Sequence, residues 1–217
     1  MNIQYISGKQ YDSNIFIIIG KKTTVIDTGT GLYHEEVIRK INNIINPTDI
    51  SQIILTHEHY DHTGGVKKLF NSTGGKAQII AHAYAASKIE KGESFFAKLL
   101  GGEMPKMPVD MKLMGNEILQ IGDEMFQVFS TPGHTPGCIC LYSKEHKTLF
   151  SGDTVFAHGS FGRYDLPGGN LTELRQSIRF LYTLGVESLY PGHESVVEKD
   201  ANKHITLSLQ QIESLRF

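Results

Sequence analysis

Cysteine is nearly absent: the only two, Cys138 and Cys140, stand one residue apart, too close for an ordinary structural disulfide, so nothing points to an oxidising compartment. Long apolar runs are missing as well. The longest, Ile15–Ile19, falls far short of the roughly 20 residues that a bilayer-spanning helix needs. The N-terminus shows neither the basic stretch nor the cleavage site of a secretory signal, so the chain is expected to be cytoplasmic with no membrane role. No sign of charge dominates. With a formal net charge of -2 and lysines and arginines scattered along the chain, there is no basic footprint for phosphate backbones, and nucleic acid is not an expected partner. No tandem repeat or low-complexity tract appears.

What is present is ordinary globular material: 217 residues, 40% hydrophobic and 20% charged, enough to bury a core as a single domain over 1–217. Short β-branched stretches at 3–5, 14–19 and 23–26 read as hairpin-linked strands. Leu32, Val37, Ile41, Ile44 and Ile45 recur at helical spacing, which predicts a helix over 32–45 that stops before Pro47. A strand at 52–55, a short helix around Val66–Phe70, a strand at 77–81 and a helix at 82–91 follow. The segment 92–115 breaks this rhythm, setting Phe95, Phe96, Leu99, Leu100, Met104 and Met107 among glycines and prolines. It suits a lid insertion or a surface helix with its apolar stripe on the core. The second half repeats the pattern, with strands at 125–129, 138–142, 149–151 and 188–190 and helices at 171–184 and 200–217. Two strand-rich halves, each ending in strand-helix alternation, predict an α/β (α+β) protein of two packed sheets with helices outside, a four-layered αββα sandwich.

Four polar motifs each follow a predicted strand directly. They are Thr56-His57-Glu58-His59-Tyr60-Asp61-His62, Thr131-Pro132-Gly133-His134, Gly152-Asp153-Thr154 and Pro191-Gly192-His193-Glu194. Strand ends are rigid, and neighbouring glycines and prolines let the backbone turn so that distant side chains converge. Neutral imidazole and carboxylate are the donors that borderline divalent metals prefer. Three histidines and an aspartate within six residues exceed what one tetrahedral ion takes from a loop, which predicts two ions. One set is His57, His59 and His134, the other Asp61, His62 and His193, with Asp153 bridging. Zinc is the expected metal, and iron or manganese fit the same donors. Asp61 and Asp153 are the candidate catalytic carboxylates, and a hydroxide held between the ions is the expected nucleophile.

With its His-x-His-x-Asp-His motif followed by a distant His, Asp and His, the sequence resembles the metallo-β-lactamase-fold superfamily over nearly its whole length. The stretches Thr131-Pro-Gly-His-Thr-Pro-Gly137, Ser151-Gly-Asp-Thr154 and Phe161-Gly-Arg-Tyr-Asp-Leu-Pro-Gly-Gly169 resemble the glyoxalase II (hydroxyacylglutathione hydrolase) branch. Asp153 stands where the commonest β-lactamase subclass has a cysteine, which turns the resemblance away from antibiotic hydrolysis. It implies the αββα fold and a binuclear metallohydrolase of small thioesters of the S-acylglutathione type. The runner-up it implies is a persulfide dioxygenase holding one iron through His57, His134 and Asp153. Hydrolysis of lactones or other esters is a nearer alternative.

Other residues take plainer readings. Asp27, in Ile26-Asp-Thr-Gly, suits equally a carboxylate that orients a ligand histidine and simple turn chemistry. Arg163 and Tyr164 follow the bridging aspartate, where they would reach a substrate carboxylate or oxyanion or else hold their own loop. Glu58 is expected in solvent. Cys138 and Cys140 read as buried small apolar groups, and His34, His82, His146, His158 and His204 as ordinary polar residues.

Overall fold

The structure is a computed structural model, and it describes residues 1–215. Its internal contacts divide the chain into two compact units, 1–114 with 120–125 and 115–119 with 126 onward.

The first unit carries a six-stranded sheet in the order of the chain, β1 (Asn2–Ile6), β2 (Ile15–Ile19), β3 (Thr24–Ile26), β4 (Gln52–Leu55), β5 (Gln78–His82) and β6 (Met111–Leu113). The first three strands pair antiparallel, and β3 to β6 run parallel. Every residue of β3 and β4 is buried, as expected of parallel strands covered on both faces, and the two polar ones pair with each other, Gln52 Nε2 donating to the Thr24 hydroxyl at 2.8 Å. Burying Ile53, Ile54 and Leu55 completely stabilises β4 by about 1.5–3 kcal/mol per side chain. The strand is therefore a stiff base for the loop that leaves its C-terminal end. Four helices belong to this unit: α1 (His34–Asn42), α2 (Tyr60–Thr63), α3 (Val66–Ser72) and α4 (Ala83–Lys91). They send Val37, Ile41, Val66, Leu69, Ala85 and Ile89 into its core.

The second unit contains most of a five-stranded sheet, ordered β11 (Ser188–Pro191), β10 (Thr148–Gly152), β9 (Ile139–Ser143), β8 (Glu124–Ser130) and β7 (Ile118–Ile121). The β10–β11 pair is parallel, and β9 is antiparallel to both β10 and β8. Helix α5 (Leu171–Tyr182) is capped by Asn170, whose side chain accepts from the amides of Thr172 and Glu173 at 3.0 and 3.2 Å. That satisfies two of the amides a helix start leaves without partners. Leu174, Ile178 and Leu181 of α5 join Ile205 and Ile212 of α6 (Ala201–Ser214) in the core.

Most expected elements are present, with shifted ends. Helix α1 stops at Asn42, and the amides of Ile44 and Ile45 both turn back to the Ile41 carbonyl. Strands β6 and β7 were not expected. The first lies inside the segment read as a break, where it adds a parallel edge to β5. Between α4 and β6 the chain forms turns with no helix. Ala97, Met104, Met107 and Val109 anchor that segment in the core, and Phe95 and Leu99 point outward. The closing helix ends at Ser214, and the last two positions of its expected span lie outside the described residues.

Candidate metal centre

In the first unit the loop after β4 delivers His57 and His59, and the single turn of α2 delivers Asp61 and His62. His57 and His62 are fully buried, with ring centroids 4.1 Å apart, and His57 and His59 lie edge to face at 4.8 Å. Asp27, at the end of β3, governs this cluster. Its Oδ1 accepts from the Thr56 amide, and its Oδ2 accepts from the Thr56 hydroxyl and from His62 Nδ1, all at 2.8 Å. The bond to Asp27 puts a proton on His62 Nδ1 and turns the lone pair of Nε2 outward. Thr56 extends the relay. Its single hydroxyl proton goes to Asp27, so its oxygen accepts from His57 Nδ1 at 3.1 Å, and His57 too presents the lone pair of Nε2. Of the two roles open to Asp27 in the sequence, the structure shows the orienting one. The turn is real as well, since Asp27 has φ 59°.

Two glycines make this loop possible. A Cβ on Gly64 would stand 2.4 Å from the Thr30 carbonyl oxygen, and one on Gly65 would stand 2.2 Å from that of Thr28. The Thr28 amide and hydroxyl both donate to the His62 carbonyl, at 2.8 and 2.9 Å. Only glycine lets the end of α2 approach the turn after β3 this closely.

In the second unit His134 follows β8, Asp153 follows β10 and His193 follows β11, each within a few residues of its strand. His134 Nδ1 donates to the carbonyl oxygen of Arg163 at 2.6 Å, which again leaves Nε2 as the donor. That nitrogen is 3.5 Å from Asp153 Oδ2, and His193 Nε2 is 3.6 Å from the same oxygen. Across the first cluster, His62 Nε2 lies 3.7 Å from Asp61 Oδ2. These separations are long for hydrogen bonds. Donors sharing one tetrahedral ion through bonds of about 2.0–2.1 Å lie roughly 3.3–3.4 Å apart. Donor atoms set by fixed partners, at such spacing, are of the kind that hold divalent cations. Backbone makes the second cluster compact too: a Cβ on Gly162 would be 2.0 Å from the Asp153 carbonyl oxygen and 3.0 Å from the His134 ring.

Thr56, Gly162 and the Arg163 carbonyl are contributors that sequence reasoning did not pick out. The Arg163 side chain points elsewhere, its Nε and terminal nitrogen donating to Asp165 at 3.0 and 2.8 Å with two-thirds of the side chain exposed. Tyr164 packs against the core of the second unit. Glu58, expected in solvent, is only half-exposed, and its charge is near enough to Lys88 to help raise that ammonium's pKa behind the larger effect of Glu93. Cys138 and Cys140 are buried and unpaired by disulfide. Burial pushes the Cys140 thiol up to about 11, which removes it as a nucleophile. His82 accepts from the Tyr84 amide at the start of α4, an ordinary polar role.

Residues 8–193 match the metallo-beta-lactamase superfamily. A probable metallo-hydrolase of Methanocaldococcus jannaschii is 34% identical over 214 residues, 93% of this chain and 97% of that one. A hydroxyacylglutathione hydrolase of Ectopseudomonas mendocina is 33% identical over 147 residues, 67% of this chain and 48% of its own length. Among solved structures, a protein in a di-iron-bound form superposes with a TM-score of 0.74 at 27% identity, covering 96% of each chain. The chain belongs to the metallo-β-lactamase superfamily and has its mixed α/β, two-sheet fold. Within that class it is a metallohydrolase. No helix among the described residues is long and apolar enough to cross a membrane.

Proposed function

We propose that the two units act as one catalytic domain, in which His57, His59, Asp61, His62, His134, Asp153 and His193 together hold two divalent ions, and that the enzyme hydrolyses small thioesters. The observation that carries this reading is Asp153: one carboxylate oxygen faces the Nε2 atoms of two histidines from different loops, at 3.5 and 3.6 Å. Seven donors exceed the usual four of one tetrahedral ion, and a relative of the same fold is known in a di-iron-bound form. Zinc is the first candidate, with iron and manganese admitted by the same donors. The thioester reading is supported by the hydroxyacylglutathione hydrolase relative and by an aspartate at position 153.

When bound, the ions would supply Lewis acidity and a water of lowered pKa. The chain's own part is to keep the donors ready. Asp27 and the Arg163 carbonyl hold protons on the outer nitrogens of His62 and His134, so neither ring can turn its donor atom away. In the overall reaction water adds to the acyl carbon and the carbon–sulfur bond breaks, giving the carboxylate, a thiolate and two protons, one of which returns to the thiolate in solution near neutral pH while the other is released. A thiol has an ordinary pKa of about 8.5, so its departure needs no strong general acid.

Elemental analysis of protein purified without added metal, run beside a thioester hydrolysis assay on the same sample, tests the proposal. Two ions per chain, and hydrolysis lost on chelation and regained on metal return, are expected. One iron per chain with oxygen uptake on a persulfide, and no thioester turnover, would overturn it.

A further inference from the structure

Among the large apolar side chains of the described residues, Leu99 and Phe95 are the most exposed, at 74% and 66%. Exposed apolar groups that stand singly need no explanation, but a cluster beside a functional site does. These two lie one helical turn apart, in a tight turn closed by bonds from the Leu100 amide to the Phe96 carbonyl and from the Gly102 amide to the Ala97 carbonyl, at 2.9 and 2.8 Å. Phe95 stacks edge to face on Phe96 at 5.0 Å, and Phe96 stacks edge to face on His59 at 5.1 Å. An aromatic surface therefore runs from a metal-ligand histidine out to solvent.

This surface is fastened to the ligand loop. Ala97 is buried in the core of the unit, and Gly102 lies so close to the hydroxyl of Tyr60 that a Cβ would stand 1.8 Å from it. The Thr63 hydroxyl donates to the His59 carbonyl at 2.9 Å, and the Met104 sulfur lies 3.4 Å from the same hydroxyl oxygen. Tyr60 and Thr63 begin and end α2, so the turn cannot shift far from His59 without disturbing the helix that carries Asp61 and His62.

Resting on the thioesterase reading, we infer that Phe95, Phe96 and Leu99 form the wall that receives the acyl group, and that the preferred substrates are thioesters of extended apolar or aryl acids. A short hydroxyacyl group bound near His59 would leave Phe95 and Leu99 in water. A medium-length alkyl or phenyl group would cover them. Each covered methylene is worth about fourfold in binding.

The test compares acetyl, butanoyl, hexanoyl, octanoyl and benzoyl thioesters of one common thiol on the metal-loaded enzyme. The expected result is a kcat/KM that climbs about threefold to fourfold per methylene before levelling. In Phe95→Ala/Leu99→Ala the octanoyl-to-acetyl ratio should collapse to about twofold or less, and it should persist in Leu207→Ala, which removes a 45%-exposed leucine on α6. A second readout needs no turnover. The chain has no tryptophan, so Phe95→Trp carries a single indole fluorophore, whose emission should shift to the blue with an octyl thioether analogue and not with a methyl one. A flat chain-length series with active enzyme, or an indole emission in Phe95→Trp that ignores the octyl analogue, overturns the wall. Loss of all thioester turnover would count against the thioesterase reading instead, and the fluorescence titration would then decide the wall alone.

Discussion

The two candidate ligand clusters hold their histidines by different means. In the first unit His62 and His57 are oriented by side chains, the carboxylate of Asp27 and the hydroxyl of Thr56. In the second, His134 is oriented by a backbone carbonyl, that of Arg163, brought close because Gly162 has no side chain. A side-chain anchor can be deleted by one substitution. A backbone anchor survives any replacement of its own side chain and yields only when the loop carrying it is displaced. The two clusters should therefore respond to opposite kinds of mutation.

The largest effect should come from Asp153, which faces histidines of two loops at once. Asp153→Ala is expected to lose both metal content and turnover, measured by elemental analysis and by hydrolysis; full activity would sink its assignment as a ligand. Next is Asp27→Ala, which strips the acceptor from the Thr56 amide and His62 Nδ1 together. Loss of a carboxylate behind a metal-binding histidine commonly costs 10–100-fold in metal affinity, and each orphaned buried donor costs about 1–3 kcal/mol of stability. Chelator competition and thermal melts would register both. An affinity within twofold of the parent would show that side-chain anchoring is dispensable in the first unit.

How much of this was legible beforehand follows the same division. The candidate ligands could be picked out because imidazole and carboxylate are identities, and because each set follows an apolar run that reads as a strand. In the structure His57, His134, Asp153 and His193 do follow β4, β8, β10 and β11. Asp27 stayed ambiguous because Asp-Thr-Gly has the composition of a turn whatever its carboxylate binds, and here it serves both ends. The Arg163 carbonyl was not legible at all, since every residue has one; the only trace was Gly162, whose closeness to His134 depends on tertiary packing. Strands β6 and β7 span 3 and 4 residues, too short for alternation to register, and their pairing with β5 and β8 is a tertiary fact.

A smaller effect separates the carbonyl of Arg163 from its guanidinium. Arg163→Ala keeps the carbonyl and removes an ion pair whose partners are 67% and 57% exposed, a solvent-screened interaction that contributes little. Metal content should be unchanged and kcat/KM within about threefold of the parent. A KM raised more than about tenfold with kcat intact would instead mark the side chain as a substrate contact, the role that its place after Asp153 suggested. Gly162→Ala is the matched opposite, adding one methyl group where the backbone of Asp153 and the ring of His134 leave no room.

The smallest effect is a pH dependence confined to the second unit. The loop that ends at Arg163 is held at its other end by His204, whose Nδ1 accepts from the His158 amide at 2.8 Å. Only an unprotonated Nδ1 can accept, and the pKa of His204 is lowered, chiefly by burial and further by His158 and Lys203. In the unfolded chain the same imidazole takes up its proton near its ordinary value of about 6.5. As pH falls through 6.5 the unfolded state binds the proton first, so the stability from this group is whole above that value and is lost as pH drops toward the lower folded pKa. Melting temperatures between pH 7.5 and 5.0 should fall less steeply in His204→Gln, which cannot titrate, than in the parent. An identical slope in both would show that this end of the loop does not depend on the state of His204, and that the second unit relies on Gly162 and packing alone to keep the Arg163 carbonyl on His134.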